Sequence, residues 1–272
     1  MRLIEAEGKA LLARRGIATP SPARLYRAGE IIDAAAGAVA IKAQILSGKR
    51  AESGLIVLTA GADAPTAASQ VLSLMTQRRE VPLVLVEAQV HIKSEYYLAW
   101  RIDDLSKAYV MMFSLAGGAN IEQRRDTVHQ YAHSPLVELQ PYHIAPLLQK
   151  AGLPASDVGP VARFAVRLFG AFREEEAVLL EINPLVITHK GGVVAVDAKV
   201  VLDDNAEKRH LDWVNLVSAK LQASERSELE AIAADENTVR SDARGPVGFR
   251  GQLHRISAGL ASGGVNNVEH FV

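Results

Sequence analysis

The 272-residue chain predicts an α+β fold with mixed, largely antiparallel sheets. Two observations carry this expectation. Short β-branched and aromatic runs come in consecutive pairs divided only by turns, as in 95–102 and 108–113 around Asp103-Asp104, and again on either side of Lys190-Gly191-Gly192. Amphipathic helical patterns fall between some of these pairs, but they do not alternate with strands one for one as a doubly wound parallel sheet requires. With 49% hydrophobic content the chain can bury a sizeable core, in one large domain or two small ones.

Residues 3–15 read as a helix with Leu3, Ile4, Ala10, Leu11 and Leu12 as its apolar positions; Gly16 ends it and Pro20 lies beyond. The Ala-rich segment 30–38 reads as a second helix. Ala38-Val39-Ala40-Ile41 opens a strand carrying Lys42 and Gln44, followed by a polar loop over 47–54 and the apolar run Leu55-Ile56-Val57-Leu58. A helix is expected over 64–79, then a strand over 83–87 entered through Pro82. The strands 95–102 and 108–113 lead into a glycine loop, 114–120. Helical patterns occupy 143–151 and 157–175. No internal repeat is present. From Ser241 the chain is rich in Gly, Arg and Ser without periodicity, so 241–272 is expected to be an extended or poorly ordered tail, or the cut-off start of something else.

The chemistry centres on Val178 to Val200, VLLEINPLVITHKGGVVAVDAKV. Two apolar runs flank the Lys190-Gly191-Gly192 turn, which predicts a hairpin. Glu181 and Asn183 are two apart and so share a face, while Asp197 stands at the matching level of the return strand with Lys199 two residues on. A carboxylate and an amide oxygen converging from adjacent strands suit Mg²⁺, which takes few protein oxygens and fills its octahedron with water and phosphate. A hairpin with polar edges is the alternative for any single residue; the whole pattern favours the ion.

Composition narrows the function. A net charge of −1 and a pI near 6.7 give no reason to expect nucleic acid or an anionic membrane as partner. No cysteine is present, which excludes disulfides and thiolate chemistry and fits a reducing compartment. No apolar run approaches a membrane span, and MRLIEAEGKALLARRG reads as an amphipathic helix rather than a signal peptide, so the expected location is cytoplasmic. The sequence holds no GxxxxGK[ST] phosphate loop, no GxGxxG after a strand, no GxSxG and no HExxH. What remains is a set of charges beside strands and a loop: Lys42 and Arg50, able to meet phosphates, and Glu87 and Glu95, at a strand end and a strand start.

In that order these residues resemble the ATP-grasp part of the succinyl-CoA synthetase β subunit family, the ADP-forming acyl-CoA ligases. The resemblance runs from Met1 to about Arg209. It is carried by MRLIEAEGKALLARRGIATP, IKAQILSGKR, LVEAQVHIKSEYYLAW and AGGANIE, and most specifically by LLEINPLVITHKGGVVAVDAKV followed by LDDNA.

The resemblance implies a two-lobed ATP-grasp fold over 1–240. Residues 20–90 would be an inserted nucleotide-binding lobe, 1–19 with 91–240 the second lobe, and 241–272 an atypical tail. It implies ATP as cofactor, contacted by Lys42 and the loop Lys49-Arg50-Ala51, with Glu87 holding the adenosine end and Glu95 in the same site. It implies Mg²⁺ held by Asn183 and Asp197, with Glu181 as a supporting group and no assigned catalytic residue. The implied partner is an α-type CoA-binding subunit carrying a phosphohistidine, through which CoA and a small carboxylic acid are joined, in a hetero- or homo-oligomer. Three departures stand out. The 47–54 loop is poorer in glycine than the family's, and glycine is what lets backbone N–H groups close on phosphate. The CoA-ligase domain and a Gly-His phosphoryl carrier are missing. The stretch after Arg240 does not resemble the start of that domain. The alternative function is therefore a truncated, non-catalytic ATP-binding or interaction module; a different ATP-grasp ligase, joining an acyl phosphate to an amine, is a third.

Overall fold

The computed structural model describes residues 1–46, 53–118 and 126–225. Lys49, Arg50 and Ala51 lie outside the described residues, as do 119–125 and the 241–272 tail. The chain opens with helix α1 (Glu5–Arg14). Strands β1 (Ala23–Arg27), β2 (Ala38–Ala43) and β3 (Ile56–Ala60) follow, then helix α2 (Ala64–Gln77) and strand β4 (Leu83–Ala88). The four strands form one antiparallel sheet in the order β1-β4-β2-β3. Strand alternation divides it into two chemistries. Val39, Ile41 and Ala43 of β2 with Val84 and Val86 of β4 turn to α2, whose Ala64, Ala67, Ala68, Val71, Leu72 and Met75 recur at helical spacing. Lys42 and Glu87 share the opposite face, because Ala40 pairs with Glu87 and Lys42 with Leu85.

The second sheet contains β5 (Ile92–Asp103), β6 (Ala108–Ser114), β7 (His129–His133), β8 (Ala177–Thr188), β9 (Val193–Ala195) and β10 (Ala198–Leu202). Its order is β10-β8-β5-β6-β7, with β9 paired to β8. Helices α3 (Pro141–Lys150) and α4 (Ala155–Glu174) cover one face. Leu98, Trp100, Met111, Phe113, Leu180 and Ile182 pack there against Ile144, Leu148, Val161, Ala165, Leu168 and Phe172. Each such large apolar side chain contributes about 1.5–3 kcal/mol on burial. The Trp100 indole N–H finds the Ala165 carbonyl at 3.0 Å. Helix α1 packs on β10, and Gly8 makes the approach possible: a methyl there would stand 3.1 Å from Val200 Cγ2. Helix α5 (Val217–Glu225) closes the described chain; its first turn binds Glu7, which accepts from Val217 N–H at 2.5 Å.

The α+β class and antiparallel pairing agree with the sequence. The expected helix over 30–38 does not form. Its backbone is committed elsewhere, Ala35 N–H to the Gly61 carbonyl and Gly61 N–H to that of Gly37, and Ile31 stands 85% exposed where a helix would need an apolar stripe. Ala10 is exposed; the buried stripe of α1 is Glu5, Gly8, Lys9, Leu11 and Leu12. The return strand of the hairpin is split in two around Val196-Asp197. Strands β1 and β7 carry no sequence signal, since ARLYR fully buries only Tyr26 and HQYAH only His133.

Candidate nucleotide and metal site

Two clusters of polar groups meet along the hairpin. The first is buried and fully ionic. Lys42, from β2, donates to Glu5 Oε1 at 2.8 Å and to the Val196 carbonyl at 2.9 Å, and lies 2.9 Å from Glu87 Oε1. Lys9 lies 2.6 Å from Glu5 Oε1 and donates to both Glu87 oxygens, at 2.8 and 2.7 Å. All four side chains are almost fully buried, Glu87 at 2% exposure. Burial by itself lowers the Lys42 pKa, but Glu5, Glu87 and then Asp197 override it, so the ammonium is held above the ordinary lysine range. Gln44 ties the same strand to α1: it accepts from Ala6 N–H at 2.8 Å and donates to the Lys42 carbonyl at 3.0 Å.

The second cluster surrounds Gly118. The Asn183 side chain clasps that residue's backbone, accepting from its N–H at 2.6 Å and donating to its carbonyl at 3.0 Å. Glu95 Oε2 borders the same residue, 3.3 Å from where a Gly118 methyl would sit. Gly117 has no alternative, since a methyl there would lie 2.6 Å from the Tyr96 carbonyl oxygen.

The hairpin joins the clusters. Ala198 pairs with Ile182 and Ala195 with Leu185, and Asn183 N–H donates to the Asp197 carbonyl at 3.3 Å, so Asn183 and Asp197 stand directly opposite. Glu181 is opposite Lys199 on the same face. The neighbouring Tyr97 phenol is pushed up by burial and then by Glu181, against Arg101, and stays protonated. A carboxylate and an amide from opposed hairpin residues fit Mg²⁺ in donor chemistry: the Asn183 oxygen keeps a lone pair after serving Gly118, and phosphate and water would supply the rest. Among the described residues no group of three His, Asp or Glu forms an all-protein cage.

Lys42, Glu87 and Asp197 thus gather at one cluster, and Glu95 and Asn183 at the other. Sequence reasoning did not single out Glu5 and Lys9. The signal was present: Glu5, Lys9 and Leu12 fall at i, i+4 and i+7, so the two charges lie on the apolar stripe of α1.

Residues 2–187 match the ATP-grasp domain family ATP-grasp_2. The chain belongs to the ATP-grasp family of the succinate–CoA ligase β subunits. It is 35% identical over 242 residues to the GDP-forming succinate–CoA ligase β subunit of Thermus thermophilus, an alignment covering 85% of this chain and 62% of that protein. It is 30% identical over 287 residues to the ADP-forming β subunit of Staphylococcus saprophyticus, covering 100% of this chain and 72% of that protein. The chain therefore spans less than two thirds of the Thermus relative's length. The Staphylococcus alignment takes in the stretch after Arg240, for which no family counterpart was expected. Among solved structures, ATP citrate lyase of Methanothrix soehngenii in complex with citrate and coenzyme A shares the fold at a TM-score of 0.61 and 19% identity, over 79% of this chain and 54% of that one.

Proposed function

We propose that the chain is the nucleotide-binding part of an ADP-forming acyl-CoA synthetase of the succinate–CoA ligase type. In this reading residues 20–90 form the nucleotide lobe, and ATP lies between it and the hairpin. One observation carries it: Asn183 and Asp197 stand opposite one another on the hairpin, and the Lys42 ammonium is bound to the Val196 carbonyl immediately beside them. Phosphoryl transfer asks a protein for position and positive charge more than for covalent chemistry. Lys42 supplies a compact cation on a strand, and Asn183 and Asp197 supply hard oxygens for Mg²⁺, which when bound neutralises phosphate charge. Gly118, gripped by Asn183, and Gly117, pressed on the Tyr96 backbone of β5, lie beside Glu95. Lys49, Arg50 and Ala51 complete the phosphate contacts, and Glu87 anchors the lysines.

The relatives are named as succinate–CoA ligase β subunits; the rest of the proposal is that an α-type partner subunit carries the phosphoryl group on a histidine and that CoA is joined to a small carboxylic acid. The experiment is titration calorimetry with Mg·ATP and Mg·GTP. ATP-dependent thioester assays with succinate, malate and acetate then follow, with and without an added α-type subunit. Nucleotide binding with thioester formation only in the presence of that subunit is the expected result. A folded chain that binds no nucleotide overturns the proposal; binding without thioester under any pairing leaves the non-catalytic ATP-binding module.

A further inference from the structure

Lys42 has three N–H donors, and its neighbours occupy all three: Glu5 at 2.8 Å, Glu87 at 2.9 Å and the Val196 carbonyl at 2.9 Å. To meet a phosphate it must give up at least one of these partners, and two of the three are carboxylates. What happens to the abandoned carboxylates depends on Lys9, which already touches both, Glu5 at 2.6 Å and Glu87 at 2.7 Å. The cluster is balanced, two carboxylates against two ammoniums. The further charge acting on Lys42 is Asp197, between β9 and β10. If Lys9 were neutral, withdrawing Lys42 would leave Glu5 and Glu87 buried with neither lysine beside them, which costs far more than losing one of two shared contacts.

We propose that Lys9 is a positioning residue for nucleotide binding, the resident counter-ion of Glu5 and Glu87 that frees Lys42 to pass from those carboxylates to nucleotide phosphates. Lys9 itself never touches the nucleotide. Lys42 is then a shared cation with two stations, and α1 sets how readily it leaves the first. The inference rests on the nucleotide site proposed above.

A charge-counting series on the full chain tests it, with Mg·ATP as probe, calorimetric affinity as readout and circular dichroism confirming the fold. Lys9→Met should bind about tenfold more weakly or worse, given what an unpaired buried charge costs. Lys9→Arg keeps the charge and should stay within about threefold of wild type, as a cation at the same place can still hold both carboxylates. Glu5→Gln removes one acceptor while Lys9 still balances Glu87, so binding should tighten. The double variant Glu5→Gln/Lys9→Met leaves the same net charge behind as wild type when Lys42 departs, and its affinity should recover. A purely structural lysine would not produce that rescue.

Wild-type affinity in a folded Lys9→Met protein, or a double variant no better than Lys9→Met, overturns the inference. Should Lys9→Met fail to fold, Glu5→Gln decides, and affinity equal to or weaker than wild type overturns it. If wild type binds no Mg·ATP, the proposed function is what fails and this inference falls with it; wild-type binding without the predicted order sinks this inference alone.

Discussion

Gly117→Ala tests whether the glycine loop is held as tightly as its contacts imply. A methyl at Gly117 would stand 2.6 Å from the Tyr96 carbonyl oxygen, 2.7 Å from its carbonyl carbon and 2.8 Å from its nitrogen. Comfortable carbon contacts need roughly 3.5–4.0 Å, so the two backbones must part by roughly 1 Å. Neither side yields cheaply. Tyr96 is buried in β5, paired with Leu185 of β8, and its hydroxyl bonds Asp157 at 3.0 Å. Gly118, the next residue, is gripped twice by Asn183. Overpacking of this kind costs about 1–3 kcal/mol, and forfeiting both Asn183 bonds costs about 0.5–1.5 kcal/mol each. The expected loss is therefore about 2–6 kcal/mol. Urea unfolding followed by circular dichroism measures it, with Asn183→Ala, which removes the two bonds without the clash, as the smaller comparison at about 1–3 kcal/mol. A Gly117→Ala protein within about 0.5 kcal/mol of wild type, the range of an ordinary surface change, would refute the reasoning.

Gly170→Ala is the opposite case: it lies inside α4 with nothing within 4 Å of the added methyl, and should stabilise by about 0.5–1 kcal/mol in the same assay. Asp197→Asn should keep the fold but weaken Mg·ATP binding by about tenfold or more, read by calorimetry; equal affinity would remove Asp197 from the metal site. Lys42→Met deletes one of four buried charges and should cost about 3–5 kcal/mol of stability in urea unfolding. Glu176 is held down to about 2, first by its hydrogen bond to Arg209 and then, after opposing desolvation, by His210. A depressed acid stabilises above its unfolded pKa and loses that contribution as pH falls through the folded value. The excess melting temperature of wild type over Glu176→Gln should thus shrink as pH falls from about 4.5 toward 2, and also in 1 M salt.

Much of the fold was legible because its elements obey single periodicities. α2 and α4 bury one stripe each, and β4 reads as an apolar run ended by Glu87. The edges were not legible: β1 and β7 bury one residue each, and their pairing depends on neighbours distant in sequence. The 30–38 segment failed because alanine-rich composition measures propensity, while hydrogen bonds to Gly61 decided the conformation. At the site, the opposition of Asn183 and Asp197 followed from counting along one hairpin. The Lys42–Glu5–Lys9–Glu87 cluster could not be counted, because it assembles from α1, β2 and β4. The helical spacing puts Glu5 and Lys9 on the apolar stripe of α1, but only tertiary packing brings Lys42 and Glu87 to them.

The docking of α1 on β10 also bears on how the protein is made. Leu202, where the supporting strand ends, comes 188 residues after Arg14, where the helix ends. At roughly 5–20 residues per second a ribosome takes on the order of 10–40 s to supply them. Throughout that interval Leu11 and Leu12 have no β10 to cover them, whereas the 23–88 sheet can already close around α2. A nascent chain of this topology offers an apolar helix to chaperones for most of its synthesis, and the last long strands to emerge are the ones that withdraw it.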